Sequence, residues 1–316
     1  MNRPRRNTRV RYALALAGVL AALALVVWIQ KRGANNTPNK SSIDSFAGLD
    51  LSDPDCSYLV VRHAAETGGN ERTRELAITW LDRQSRRQLP LSADQETWLL
   101  DKLAANGHAT WDPEYRFLFF NSAFNVLHLG NRQEDLSRQL QKLALEAPEK
   151  TMRLYALQHI SLQRSIGHLA GPLADEVRTT LNTLASQPNC PVAGTALSTL
   201  ITWDGPETPA DPQLIALALK LAADPACEVD VRVNALQIAR EQSLPLAREL
   251  ATDTKQPVPL RKAAIACIGQ HGADSDRANL ETLRTENFRL AQAAEPALRA
   301  IEKRLSNPQA AEPIPF

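Results

Sequence analysis

The 316-residue chain reads as an all-α protein, a stack of about seven helix pairs that follows one N-terminal transmembrane helix. Three observations predict this. An uncharged apolar run fills residues 13–29, short segments of one pattern recur at steps of 28 to 42 residues, and the composition is 44% hydrophobic but only 5% aromatic. Sequence rich in alanine and leucine with few rings favours close-packed helices over sheets. A period near 40 residues is the length of one helix pair.

In chain order, residues 1–11 come first and form a basic tail with Arg3, Arg5, Arg6, Arg9 and Arg11 and no acid. Residues 12–30 contain no charge, and at ~1.5 Å per residue they span about 28 Å, close to a ~30 Å hydrocarbon core. Tyr12 and Trp28 fall at interfacial depth, and the arginines ahead of the run place the N-terminus in the cytoplasm and the body outside. In a bacterial inner membrane that side is the periplasm. A cleaved signal peptide would end in a small-x-small site. Gln30, Lys31 and Arg32 stand there instead, so a retained signal anchor is expected. Residues 31–53 are rich in Asn, Ser, Asp and Gly and read as a flexible linker, and residues 306–316, with Pro308, Pro313 and Pro315, as a disordered tail.

The repeats occupy residues 54–305 and emerge from columns. Aligning segments on a recurring arginine gives anchors Arg74, Arg116, Arg153, Ala193, Arg232, Arg261 and Arg289, the fourth lacking the Arg. Three residues on stand Ala77, Phe119, Ala156, Ala196, Ala235, Ala264 and Gln292, and four on stand Ile78, Phe120, Leu157, Leu197, Leu236, Ile265 and Ala293. At offset seven come Leu81, Ala123, Ile160, Leu200, Ala239, Ile268 and Pro296. Offsets of three, four and seven share one face of an α-helix, which must be buried. Other helical stretches lie between these segments, and Pro113, Pro148, Pro191, Pro225 and Pro257 mark the turns into the anchored helices.

The motif Asp224-Pro225, Val231-Arg232, Ala235-Leu236, with Pro259, Leu260-Arg261, Ala263-Ala264 and Ile268-Gly269, resembles the HEAT repeat family, including the short bacterial HEAT-like repeats of phycobilisome lyase-type proteins. The resemblance covers residues 55–305. It implies an α-α solenoid with a groove, and its members most often bind proteins. An enzyme-accessory or lyase role on a bound prosthetic group is the runner-up it implies.

Charge narrows the partners. Residues 1–32 hold 7 of the 36 basic residues, which leaves 29 against 35 acids. A mildly acidic body does not suit a phosphate-tracking surface, so nucleic acid is not an expected partner. None of the six histidines is followed by Glu, as helical-repeat iron hydroxylases require, and no metal spacing recurs. There is no Gly-x-Ser-x-Gly elbow or Gly-rich phosphate loop, so no catalytic residue, cofactor or small-molecule substrate is assigned. Cys56, Cys190, Cys227 and Cys267 show no Cys-x-x-Cys pair. Cys190 and Cys227 occupy equivalent turns, and a disulfide between them is one option in an exported protein.

The anchor arginines Arg74, Arg116, Arg153, Arg232, Arg261 and Arg289 are expected to form a structural ladder across stacked turns. Binding is expected at the column five beyond each anchor, where Thr79, Asn121, Gln158, Ser198 and Gln237 are polar. Arg83, Asn125, Thr202, Glu241 and Gln270 extend it four residues further. Within the cluster Trp111, Tyr115, Phe117, Phe119, Phe120 and Phe124, the rings of Tyr115 and Phe117 are the candidates for surface anchors. The sequence thus points to a membrane-anchored, non-catalytic scaffold that holds a protein partner.

Overall fold

A computed structural model describes residues 54–67, 71–104, 111–187, 189–205 and 208–306. The expected tail, anchor, linker and C-terminal segment lie outside the described residues, as does the side chain of Cys56. Among the described residues no helix is long and apolar enough to cross a membrane.

Every regular element among the described residues is helical. The first six helices are α1 (Pro54–Thr67), α2 (Glu71–Arg87), α3 (Ala93–Ala104), α4 (Pro113–Leu127), α5 (Gln133–Glu146) and α6 (Lys150–Ile166). Next come α7 (Gly171–Ala185), α8 (Ala193–Ile201), α9 (Pro212–Ala223) and α10 (Val229–Ala239). The chain ends with α11 (Leu244–Thr252), α12 (Val258–His271), α13 (Arg277–Glu286) and α14 (Phe288–Ser306). Proline opens α4, α7, α9, α11 and α12 in the first turn, where its missing N–H removes no helical bond. Asp112 and Asp211 cap α4 and α9 by accepting from Glu114 N and Gln213 N. At the end of α6, Gly167 adopts φ 84°, a left-handed geometry that costs glycine little.

The helices pack in consecutive pairs, α1 with α2 through α13 with α14. The second member of each pair also packs on the second member of the next: α2 on α4, α4 on α6, and so on to α12 on α14. One apolar face per second helix accounts for this. In the first six anchored segments the columns at offsets three, four and seven are all buried, from Ala77, Ile78 and Leu81 to Ala264, Ile265 and Ile268.

The seventh segment departs from the sequence alignment. Arg289, Gln292 and Pro296 are exposed and Ala293 is half-buried; burial falls instead on Leu290, Ala294 and Ala297, one residue after Arg289, Ala293 and Pro296. The helix start decides this register. Asn287 Oδ1 accepts from Leu290 N, so Phe288 and Arg289 form the solvated first turn, with Phe288 78% exposed. Gly269 on α12 lets α14 approach, since a Cβ there would lie 2.7 Å from the Ala297 Cα and Cβ. Arg289 is therefore not a ladder residue.

The other arginines have a shared geometry. Arg153, Arg232 and Arg261 donate from Nε to Ala144, Ala222 and Ala251, carbonyls in the last turn of the preceding helix, at 2.8, 3.0 and 2.9 Å. Their Nη atoms then reach the next pair: Cys190 Sγ, Gln256 Oε1 and the Glu286 carboxylate. Arg116 likewise meets Glu149 at 2.6 Å, and Arg74 lies over the Trp111 ring. Each side chain thus ties its own pair to the turn, or to the end of the first helix, of the next pair along the chain.

At the fourth anchor stands Ala193, and α8 spans only nine residues. An arginine there would reach toward residues 224–228. Lys150, from the start of α6, takes that turn instead, with Glu228 and Asp230 both at 2.5 Å across the end of α8. A lysine can hold two carboxylates this way but lacks the fork that would also cap a helix.

Arg261 is 3% exposed, so Arg261→Ala leaves the Ala251 carbonyl and Glu286 without their partner; the expected cost is about 3 kcal/mol in urea unfolding. Lys150 is only partly covered, so Lys150→Ala is expected to cost under ~1 kcal/mol and to lose that effect in 1 M salt.

Candidate functional site

The second helices place the expected binding column at the surface in three consecutive layers. Gln158 on α6, Ser198 on α8 and Gln237 on α10 are all exposed, as is Thr79 on α2. The helical wheel explains it: offset five turns 500°, about 140° from the anchor and about 155° from the centre of the buried columns. Arg83, Thr202 and Gln270 are exposed and Asn125 is half-buried; Glu241 is exposed too but lies beyond the end of α10, after Arg240 at φ 49°.

Asn121 has a different environment. It is half-buried, and its Oδ1 lies 3.2 Å from His159 Nε2. His159 Nδ1 in turn lies 2.9 Å from His128 Nε2. If His159 donates to Asn121, its Nδ1 is a lone pair that accepts from His128. His128 Nδ1 is then an acceptor, and it is buried with no hydrogen-bond partner among the described residues. The rings are 5% and 4% exposed, and the edge of Phe124 meets His159 with centroids 5.1 Å apart. Burial holds His128 down at about 4, helped by His168, and holds His159 down at about 3, helped by His128. Both imidazoles are neutral at pH 7.

The segment carrying His128 is fixed by buried polar groups. Glu96 on α3 accepts from Asn131 N and Arg132 N at 3.3 and 2.8 Å. Gly130 makes room for it, because any Cβ there would clash with all three carboxylate atoms. Gln133 donates to the Leu127 and Gly130 carbonyls, and the fully buried Gln163 accepts from Ser137 Oγ at 2.9 Å. Sequence reasoning missed this pair, since His128 and His159 lie 31 residues apart. The available signal was offset six, about 60° from the small column. It holds Trp80, Ser122, His159, Thr199, Ile238, Cys267 and Glu295, and all but Ile238 and Glu295 are buried.

The two candidate aromatic anchors are half-buried. The Tyr115 hydroxyl donates to Glu71 Oε1 at 2.7 Å; burial, with that bond behind it, pushes its pKa well above the usual tyrosine range. Phe117 packs edge-on against Tyr155 at 6.5 Å. Trp111, Phe119, Phe120 and Phe124 belong to the core.

Cys190, Cys227 and Cys267 are free and buried, which removes the Cys190–Cys227 disulfide option. Burial pushes the thiols of Cys227 and Cys267 up, opposite to what a nucleophile at neutral pH requires. Among the described residues no group of three or more His, Cys, Asp and Glu side chains could hold a metal ion. A shallow groove between α7 and α9 is lined by Arg178, Asn182, Gln213 and Leu217 over Leu200. No protein-family description, curated protein or solved structure matches this chain.

The histidine pair sets an acid limit. Above pH 6.5 both rings are neutral in the folded and unfolded chain. Below it the unfolded chain takes up protons that the folded one refuses, so stability falls between pH 6.5 and about 4. The expected slope is roughly 1.4 kcal/mol per pH unit for each imidazole. Urea unfolding at pH 7, 6 and 5 measures it, and a His128→Leu/His159→Leu variant should have a shallower slope. Equal slopes would mean that the pair is not the group that titrates.

Proposed function

We propose that the chain is a membrane-tethered, non-catalytic scaffold in which an α-solenoid of HEAT-like pairs holds a protein partner on the face of its second helices. Packing of each second helix on the next, with arginines joining successive pairs, supports the solenoid. The polar outer side of α14, with Arg289, Gln292, Glu295 and Arg299 exposed, is the ending such an array needs. The tether rests on the uncharged run at residues 12–30 and the arginines before it, which put the body on the outer, periplasmic side of a bacterial inner membrane.

One observation carries the binding reading: Gln158, Ser198 and Gln237 stand exposed at the same offset on three consecutive packed helices. Side chains that the fold does not use for packing form a row long enough to engage a partner at several points. Tethering raises the local concentration of whatever is held there.

Affinity capture from solubilised membranes, read by mass spectrometry, tests this. The Gln158→Glu/Gln237→Glu variant is expected to lose the partner recovered by the native chain. Its melting temperature should stay within about 2 °C, because both sites are exposed. Retained capture would place the partner elsewhere.

A further inference from the structure

The first pair ends in a group of cations that the packing does not use. Arg83, Arg86 and Arg87 close α2, and at offsets of three and four they share one side of its last turn. All three are exposed and make no ion pair or hydrogen bond among the described residues. The other arginines of the first three pairs are engaged. Arg62, Arg72, Arg132 and Arg138 lie within 3.5 Å of a carboxylate, Arg116 meets Glu149, Arg74 lies over Trp111, and Arg153 and Arg164 donate to carbonyls.

The usual structural uses of such arginines are already met by other groups. The last carbonyls of α2, at Gln84 and Ser85, accept from Leu89 N and Gln88 N at 3.0 and 3.1 Å, so no guanidinium is needed as a cap. Asp82, one turn before Arg86, accepts instead from Ser122 Oγ at 2.6 Å. The dipole of α2 favours a cation at this end, yet three side by side repel one another. The turn then adds an apolar tip. Gln88 takes φ 57°, a left-handed backbone that favours glycine, and Leu89 stands 46% exposed beside exposed Pro90 before Leu91 returns to the core. In a helix ending of this kind the residue at Leu89 commonly packs back on the helix, but the position it would meet is Gln84.

The chain from the apolar run enters at the same end. Tyr58, one turn into α1, meets Trp80 of α2 with ring centroids 5.8 Å apart and donates to the Gln95 carbonyl in the first turn of α3. Pro54 and the α2–α3 connection therefore share one end of the first pair. Residues 31–53 reach at most ~80 Å even when stretched, so an anchor at residues 12–30 keeps this end close to the bilayer. Acids belong to this end too: Asp94 is exposed in the first turn of α3, and Asp50, Asp53 and Asp55 lie around Pro54. Attraction therefore rests on the guanidinium group rather than on bulk charge. Its fork matches a phosphodiester through two parallel hydrogen bonds, and a leucine beside it suits the boundary between headgroup and acyl chain.

Resting on the membrane-tethered reading above, we propose that Arg83, Arg86, Arg87 and Leu89 dock the first pair on phospholipid headgroups of the membrane that anchors the chain. The arginines take the phosphates and the leucine lies below them. Docking fixes the first pair against the bilayer, so the array does not swing on its tether.

The test places the full chain in nanodiscs and reads an environment-sensitive NBD label at Leu89→Cys. Cys190, Cys227 and Cys267 are buried, and Cys56→Ser removes the remaining native thiol. In phosphatidylcholine with one-third phosphatidylglycerol, the label is expected to emit about 10 nm to the blue of the same label at Thr183→Cys on α7, and to be quenched by nitroxide lipid. Arg83→Gln/Arg86→Gln/Arg87→Gln should return it to the aqueous position with the melting temperature within about 2 °C, because all three sites are exposed. Salt at 1 M, where the Debye length is ~3 Å, should do the same. An aqueous label in the native sequence, or equal quenching without the arginines, would overturn the proposal. A label that stays aqueous in nanodiscs yet is buried in native membranes would make an acidic protein the partner and overturn it as well. Liposome flotation in 1 M salt separates the two readings. A chain that floats with its low-salt label aqueous keeps the tether and loses the docking, whereas a chain that does not float loses both.

Discussion

A chain built from short helices must satisfy many helix ends in close quarters. Each helix leaves up to four carbonyls at its C-terminus without an intrahelical partner, and in stacked pairs those ends are turned toward neighbours rather than water. The recurring arginine answers this constraint. Its Nε caps the last turn of the helix before it, at Ala144, Ala222 or Ala251, and its Nη groups reach into the next pair. One side chain therefore sets both the closure of a pair and the spacing to its neighbour. Arg232 and Arg261 are nearly buried, and a guanidinium tolerates that position because its donors are occupied in a rigid fork.

The fourth pair lacks that contact and is built differently as a result. With Ala193 in place of arginine, α8 spans only nine residues. Two substitutes surround it. Lys150 joins α6 to the start of α10, and beyond α8 the connection is held by Arg164, whose guanidinium lies over the Trp203 ring and donates to its carbonyl. Both are more exposed than Arg232 or Arg261, so this is where the packing relies most on solvent-screened interactions. Gly194 fits the same picture: it brings α8 and α10 together where a Cβ would lie 3.0 Å from the Asn234 side chain.

Buried polarity is concentrated in the front half. Glu96, Ser137, Gln163, His128 and His159 all lie before Ile166 and connect α3, α4, α5 and α6. Such a network favours one arrangement of helices, because displacing any member leaves a buried polar group unsatisfied. It also touches the polar row, since Asn121 belongs to both. The row is therefore rigidly supported at α4 and α6 and more simply backed by alanine and leucine at α8 and α10.

Helical class, the positions of most second helices and the buried columns were legible in the sequence. Each depends on spacing within one helix, and a period of 3.6 residues is a local property. The same arithmetic turned Gln158, Ser198 and Gln237 outward. It failed at α14, where a single capping contact from Asn287 moved the register by one residue and took Arg289 out of the series. Contacts between elements were not legible: the meeting of His128 with His159, the commitment of Asn121, and the reach of Lys150 past α8. Those depend on distances between helices, and only the packed chain sets them. The sequence by itself determined which face of each helix leaves water; tertiary structure decided which polar side chains on the remaining faces find one another, because pairing energy exists only once two surfaces have been brought within a few ångströms.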